Sequence, residues 1–309
     1  MRLRFSVWVA VLGFLLLVML AAVLRLLPIN PWDVFWLFVT VACAWAIVRI
    51  FYSEKKDNIQ YDIIYRHVLV KCARIMVGHK MVELVPGVHL VDGSIGCNTY
   101  LIVDDGVTLV DTGLKGNVKQ IYGCLRKLGY GPKDIKRIII THAHIDHINC
   151  LSSLKAETGA LIMASDQDSE VIEGMRPIRG IGGFFGAFFR LLRLYYRYKP
   201  VRVDVRLKDG DKIDVLGGLE AVLLSGHSAG NLGLYSRERK LIFSSDTIRV
   251  LNGKIAAPHP KFTENGEKAI EAIERMAGLD FNVMLPGHGK PVIGNASDKV
   301  KELCHELKR

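Results

Sequence analysis

The stretch Thr141-His142-Ala143-His144-Ile145-Asp146-His147 constrains this chain more than any other, because three imidazoles and a carboxylate crowd into six consecutive residues. It follows Ile138-Ile139-Ile140, a β-branched apolar run that reads as a buried strand over 137–140. In extended backbone His142 and His144 point to the same side, since side chains alternate with period two. On a helix they would diverge, so the motif belongs on a loop leaving the strand. Asp146 and His147 lie where the chain can turn and offer further ligands. Neutral imidazole and carboxylate suit zinc and its first-row neighbours. A merely polar turn has no need of three His at this spacing.

One segment upstream and three downstream also carry metal-ligand residues beside glycine or at strand ends. They are Val110-Asp111-Thr112-Gly113, Gly226-His227-Ser228-Ala229-Gly230, Ser245-Asp246-Thr247 and Pro286-Gly287-His288-Gly289. Together with the first motif, their order resembles the metallo-β-lactamase superfamily from about Val82 to about Val292. The resemblance implies an αββα sandwich. It also implies that His142, His144 and His227 bind one ion, that Asp146, His147 and His288 bind a second, and that Asp246 bridges them. The ions expected are two divalent metals, zinc first, with iron or manganese as alternatives. Asp111 is expected to steady a ligand from behind, although a plain turn carboxylate is the competing reading. In this family the ions activate water for attack on a carbonyl carbon or phosphorus, with Asp146 as proton acceptor and donor.

His147 beside Asp146 resembles the glyoxalase-II-like and lactonase-like members, and a carboxylate at Asp246 agrees with that subset. His144 is intact, unlike in the oxygen-reducing diiron branch. The Tyr that lactonases carry shortly after the bridging Asp is absent from Thr247-Ile248-Arg249-Val250. The expected activity is hydrolysis of a small-molecule or lipid-borne thioester, lactone or related ester. A phosphodiesterase acting on lipid or nucleotide substrates is the alternative, and a non-enzymatic membrane module is the third reading.

Around these motifs the chain alternates strand and helix signals. Thr99–Val103 and Val107–Val110 flank Asp104-Asp105-Gly106, a strong hairpin turn. Val118, Ile121, Tyr122, Leu125 and Leu128 recur at helical spacing, with Asn117 as the expected N-cap and Gly129 beyond the end. A helix is expected over 148–156 and strands near 160–163, 201–207, 212–215, 219–224, 232–235 and 241–244. A further helix is expected between a cap near Thr263 and Gly278, then a last core strand at Val283-Met284-Leu285, and a closing helix from Ser297. The pattern predicts helices on mainly antiparallel sheets.

The first 80 residues lie outside the resemblance. Phe5 to Leu24 is 20 residues without a charge, long enough to span a bilayer as a helix. After the break at Pro28-Ile29-Asn30-Pro31, Val34 to Val48 is a shorter uncharged run of 15. Trp32 and Tyr52 suit the two interfaces and Arg49 can snorkel, so 1–52 is expected to form a membrane hairpin, with one spanning helix and an interfacial second helix as the alternative. Residues 53–80 then make a charged juxtamembrane connection, and 81–309 the catalytic domain. Arg2, Arg4, Arg49, Lys55 and Lys56 flank the two runs, which puts both ends and the catalytic domain in the cytoplasm.

The six cysteines include no Cys-x-x-Cys pair, which suits a reducing compartment. The net charge of +10 favours an anionic membrane face or anionic substrate, while no long basic block points to nucleic acid. Gly180 to Tyr198 concentrates both features. Phe184, Phe188, Leu192 and Tyr195 can share one helical face, and Arg190, Arg193 and Arg197 another. Such a helix reads either as a membrane-surface or substrate-contacting element or as core packing with a solvated basic side.

Overall fold

The computed structural model describes residues 82–177, 198–251 and 253–308, all within the compact unit Ala73–Arg309. The expected membrane hairpin, the connection at 53–80 and the segment at 180–197, with Phe184, Phe188, Arg190, Arg193 and Arg197, fall outside them. Among the described residues, no helix is long and apolar enough to cross a membrane.

Two sheets form the centre. The first contains β1 (Val82–Val85), β2 (Val88–Leu90), β3 (Tyr100–Asp104), β4 (Gly106–Val110), β5 (Ile135–Ile139), β6 (Leu161–Ser165) and β7 (Val205–Leu207), side by side in chain order. Its first four strands are antiparallel, and β3–β4 is the hairpin that the Asp-Gly turn predicts. From β4 to β7 the pairing is parallel. Taken over all the sheets, most strand pairs are antiparallel, as expected, and this stretch of the first sheet is the main exception. Parallel neighbours need crossover connections, and helices supply them here. They are α1 (Asn117–Lys127), the single turn α2 (Ile145–Ile148), α3 (Leu151–Thr158) and α4 (Asp166–Ile172).

The second sheet contains β8 (Lys212–Ile213), β9 (Leu219–Leu223), β10 (Leu232–Ser236) and β11 (Leu241–Ser245), which meander antiparallel. A separate hairpin, β12 (Arg249–Leu251) with β13 (Lys254–Ala256), follows. After α5 (Gly266–Ala277), β14 (Val283–Pro286) adds parallel to β11, and β15 (Val292–Ile293) closes the edge before α6 (Ala296–Leu307). Val283-Met284-Leu285 is thus the last strand inside the sheet, and only the two-residue edge strand β15 follows it.

Alternation along the strands builds three apolar layers. Ile102, Val110 and Ile139 of the first sheet meet Leu219, Leu234, Phe243 and Leu285 of the second. Their neighbours Leu101, Leu109 and Ile138 face outward onto Ile121 and Leu125 of α1 and Leu151 and Leu154 of α3. On the far side Tyr235, Ile242 and Met284 face Ile273 and Met276 of α5 and Val300 and Leu303 of α6. Sheets covered on both faces need near-continuous apolar strands, which explains the unbroken runs in the sequence. The result is helix, sheet, sheet, helix, as the resemblance implies. Truncating Leu234, fully buried between the sheets, to Ala should cost about 2–5 kcal/mol.

One cap differs from expectation and one lies close to it. Asn117 opens α1 but does not cap it. Its Nδ2 donates to Thr99 Oγ1 and the Thr112 carbonyl, and its Oδ1 accepts from Ile95 N. Gly116, at φ 103°, takes the cap position instead. α5 is capped by Asn265, whose Oδ1 accepts from Lys268 N at 3.0 Å, two residues after the expected Thr263.

Candidate metal centre

Five strands deliver the motif residues from their C-terminal ends. β4 leads into Asp111, β5 into His142–His147, β9 into His227, β11 into Asp246 and β14 into His288. Backbone bonds tie the loops together at this edge, two of them between the sheets and one within the first. Leu232 N donates to the Thr141 carbonyl at 2.8 Å, Thr112 N to the His147 carbonyl at 2.8 Å, and Asn98 N to the Gly287 carbonyl at 2.7 Å. His142 and His144 lie on the loop after β5, as expected. Asp146 and His147 do not: they sit on the turn of α2, with the His147 ring still 3.9 Å from that of His142.

The seven His and Asp residues converge in two groups. In the first, His144 Nδ1 lies 3.0 Å from both His142 Nε2 and His227 Nε2. In the second, His288 Nε2 lies 3.3 Å from Asp146 Oδ2 and 3.4 Å from His147 Nε2. Asp246 stands between them, with Oδ2 3.3 Å from His227 Nε2 and 3.2 Å from His288 Nε2, and Oδ1 3.7 Å from His147 Nε2.

These residues fit divalent cations. Tetrahedral zinc with Zn–N bonds of about 2.0–2.1 Å brings its ligand atoms about 3.3 Å apart, close to the observed separations. Asp246 Oδ1 and His227 Nδ1 are buried and lack hydrogen-bond partners. An unpaired buried carboxylate oxygen is costly unless a cation compensates it.

Hydrogen bonds set the tautomers. Ser245 Oγ donates to Asn231 Oδ1 at 2.7 Å, and so can only accept from His142 Nδ1, 3.2 Å away. That leaves His142 Nε2 with its lone pair facing the centre. Asn231 is itself fixed by donating to the Leu224 carbonyl and Thr247 Oγ1. His147 Nδ1 donates to Asp111 Oδ2 at 2.9 Å, so its Nε2 likewise faces the centre. Asp111 also accepts from Thr141 N and Thr141 Oγ1. Its backbone is left-handed at φ 58°, as is that of Ser245 at φ 51°. Each such conformation costs about 1–3 kcal/mol and persists where the surroundings hold it.

Protonation separates the two groups. Burial pushes His142 well below the ordinary imidazole range, and the neighbouring imidazoles add to it. Burial also lowers His144, and brings His227 down to about 3. The second group behaves oppositely. Burial opposes a charge on His288, but Asp246 and Asp146 outweigh it and raise it to about 9. Burial would lower His147 too, yet the carboxylates of Asp111 and Asp246 around it push it up. Asp246 is held at about 2 and Asp146 below the usual carboxylate range, because the imidazoles outweigh burial.

Several contributors carry no motif. Ser245 and Asn231 are ordinary polar residues in the sequence. Cys97 lies buried against His147 and Asp111, and burial raises its thiol to about 11, so it stays protonated. Asp168 on α4 accepts from Ala143 N, Ser228 Oγ and Gly230 N. Ser165-Asp166-Gln167-Asp168 has the Ser-x-x-Asp spacing of a helix start, which was the available signal for α4.

Residues 92–288 match the sequence pattern of the metallo-beta-lactamase superfamily. The chain belongs to that superfamily. Among its relatives, the uncharacterized protein YobT of Bacillus subtilis is 28% identical over 69% of this chain and 91% of its own length. YflN, a probable metallo-hydrolase of the same organism, is 25% identical over 73% of this chain and 92% of its own. A metallo-beta-lactamase family protein of Thermus thermophilus superposes with a TM-score of 0.59 at 22% identity, covering 73% of this chain and 81% of that one. BJP-1, a subclass B3 metallo-beta-lactamase of Bradyrhizobium japonicum, superposes with a TM-score of 0.55 at 22% identity, covering 74% and 92%. These two likenesses bear on the fold alone. Superfamily membership and the His/Asp clusters, which could hold metal ions, agree with one another.

Proposed function

We propose that this protein is a membrane-anchored hydrolase with two divalent ions, zinc by preference, acting on a thioester, lactone or related ester. His142, His144 and His227 hold one ion, Asp146, His147 and His288 the other, and Asp246 reaches both. The observation that carries this reading is Asp246 Oδ2 within 3.3 Å of His227 Nε2 and 3.2 Å of His288 Nε2, one imidazole from each group. Such ions supply Lewis acidity and activate water near neutral pH.

The chain's own residues supply the rest. Asp146 is ionised at neutral pH and only partly covered, so its carboxylate can take a proton at Oδ and return it to a leaving group. Asp111 holds His147, and Ser245 holds His142, in the tautomers that present Nε2. The preference for thioester or lactone rests on His147 standing beside Asp146 and on a carboxylate rather than Cys at 246. The uncharged run Phe5–Leu24 and the flanking basic residues support an anchor with the hydrolase on the cytoplasmic side.

The test is turnover by the full-length chain in detergent, loaded with zinc. Thioester and lactone reporters should be hydrolysed and a phosphodiester reporter spared. His144→Ala should lower turnover at least about 100-fold, in line with loss of a metal ligand. Cleavage of the phosphodiester alone would replace the substrate class with a lipid or nucleotide phosphodiester. No turnover of any reporter by a fully metal-loaded chain would support a non-enzymatic module instead. Protease added to intact cells should spare 53–309, and cleavage there would reverse the orientation.

A further inference from the structure

We propose that Asp168 is a positioning residue that sets the metal affinity of the His142/His144/His227 group and leaves the second group unaffected; this rests on the two-group reading above. Asp168 belongs to neither group, and its helix α4 lies about twenty residues beyond the first motif and sixty before the third His. Its carboxylate nevertheless joins the loops that carry His144 and His227. Oδ2 accepts from Ala143 N at 2.8 Å, in the residue between His142 and His144. The same oxygen accepts from Ser228 Oγ at 2.8 Å, in the residue after His227, and Oδ1 accepts from Gly230 N at 3.0 Å.

The three ligands of the first group come from two sheets, His142 and His144 after β5 and His227 after β9. Their mutual distance therefore depends on how the two loops are held together. Among the hydrogen bonds described above, the Leu232–Thr141 backbone bond joins the sheets one residue before His142. Asp168 adds three more on the far side of the ligands, through a carboxylate only 4% exposed. A buried carboxylate receiving three donors is rigid, and charge-assisted bonds are about twice as strong as neutral ones. Its own position is fixed by Asp168 N on Ser165 Oγ, the α4 cap. Gly230 is part of the fit: a Cβ there would overlap Ser165 Oγ and come 2.7 Å from Asp168 Cγ.

The second group has a separate brace. Asn98 Nδ2 donates to the Pro286 carbonyl at 2.9 Å and the Gly289 carbonyl at 2.7 Å, on either side of His288. Asp168 makes no contact of this kind with 286–289 or with α2. Loosening Asp168 should thus widen the first group and leave the second as it is.

The experiment is zinc titration of the full-length chain in detergent against a chromophoric chelator, with cobalt absorption as a second readout. His227→Ala and His288→Ala identify which binding step belongs to which group. Asp168→Asn keeps the size but turns one acceptor into a donor. It should weaken the step missing in His227→Ala at least about tenfold, as loss of a ligand's support does, and shift the other step less than threefold. The cobalt spectrum of the first group should change with it. Gly230→Ala, which keeps the carboxylate but displaces it, should weaken the same step. Asn98→Ala should weaken only the other step.

An unchanged first step in Asp168→Asn and in Gly230→Ala would overturn the proposal while leaving the two-group reading intact. Equal weakening of both steps would make Asp168 a general structural residue and overturn it as well. A wild-type chain that binds no zinc at these residues would instead overturn the two-group reading, and the proposal with it.

Discussion

Gly287 lies so close to Asp246 that a Cβ built on it would overlap the carboxylate Oδ1, and it would come 3.0 Å from Cε1 of His147. The glycine before His288 is therefore part of the metal centre's shape. Gly287→Ala must push Asp246 or the 286–289 loop aside. Overpacking of a close-fitted site costs about 1–3 kcal/mol, so the metal-free protein should unfold more easily by that amount. Because Asp246 reaches both groups, zinc content at equilibrium should fall for both. Denaturant melts and metal analysis check this, and a variant that retains both ions at wild-type affinity would contradict it.

Ser245 separates two contributions that usually travel together. Its hydroxyl fixes the His142 tautomer, and its backbone sits at φ 51°. Ser245→Gly deletes the hydroxyl without adding a left-handed penalty, since glycine tolerates that conformation. Zinc should bind the three-His group about 10–100-fold more weakly. An unchanged affinity would mean that Thr141 Oγ1, 3.4 Å from the same nitrogen, suffices to orient the ring.

The metal motifs were legible because each joins a strong ligand to a strand end, and the fold brings those ends to one edge. The layer order was implied by the resemblance, and strands apolar on both faces agree with it, as Ile138 and Ile139 enter different cores. What stayed hidden depends on long-range partners. Asn117 looks like a cap, yet its side chain is claimed by Thr99, Thr112 and Ile95. Asp146 and His147 look like loop residues because a single helical turn leaves too short a pattern to read. Asp168, Asn231 and Ser245 carry no spacing of their own, and their work appears only when β9 and β11 close on the loop after β5. The parallel half of the first sheet was missed for a related reason: strand signals report burial, and the direction of pairing comes from the connections.

Asp111 offers a test of how the second group is held. Its Oδ2 takes hydrogens from His147 and Thr141 Oγ1, and its Oδ1 takes one from Thr141 N. Asp111→Asn suits φ 58°, since Asn visits the left-handed region readily. It nevertheless places an NH2 opposite at least one of these donors. Leaving a buried donor unmatched costs about 1–3 kcal/mol, which should appear as lost stability without metal. His147 can relieve the conflict by moving its proton to Nε2, the atom that faces His288. Zinc at the Asp146/His147/His288 group should then bind at least about tenfold more weakly. Asp111→Ala should be less stable still, because it adds the left-handed penalty. Equal stability of the two variants would show that the backbone at 111 relaxes freely.

The last prediction concerns protons. His288 is raised to about 9, so at pH 7.5 it is an imidazolium paired with Asp246 and Asp146. A metal ligand must be neutral, so zinc competes with that proton. His227, at about 3, and His142, well below its ordinary range, are already neutral and have none to lose. The sign follows: affinity at the second group rises with pH up through about 9, where His288 gives up its proton, while the first group stays flat across the same window. Loading the metal-free chain at pH 7.5 should therefore release at least one proton. Calorimetry in buffers of different ionisation enthalpy measures that number. His288→Ala should lower it by about one, and His227→Ala should leave it nearly unchanged. If His227→Ala lowers the count as much as His288→Ala, the division into a neutral group and a protonated group is wrong.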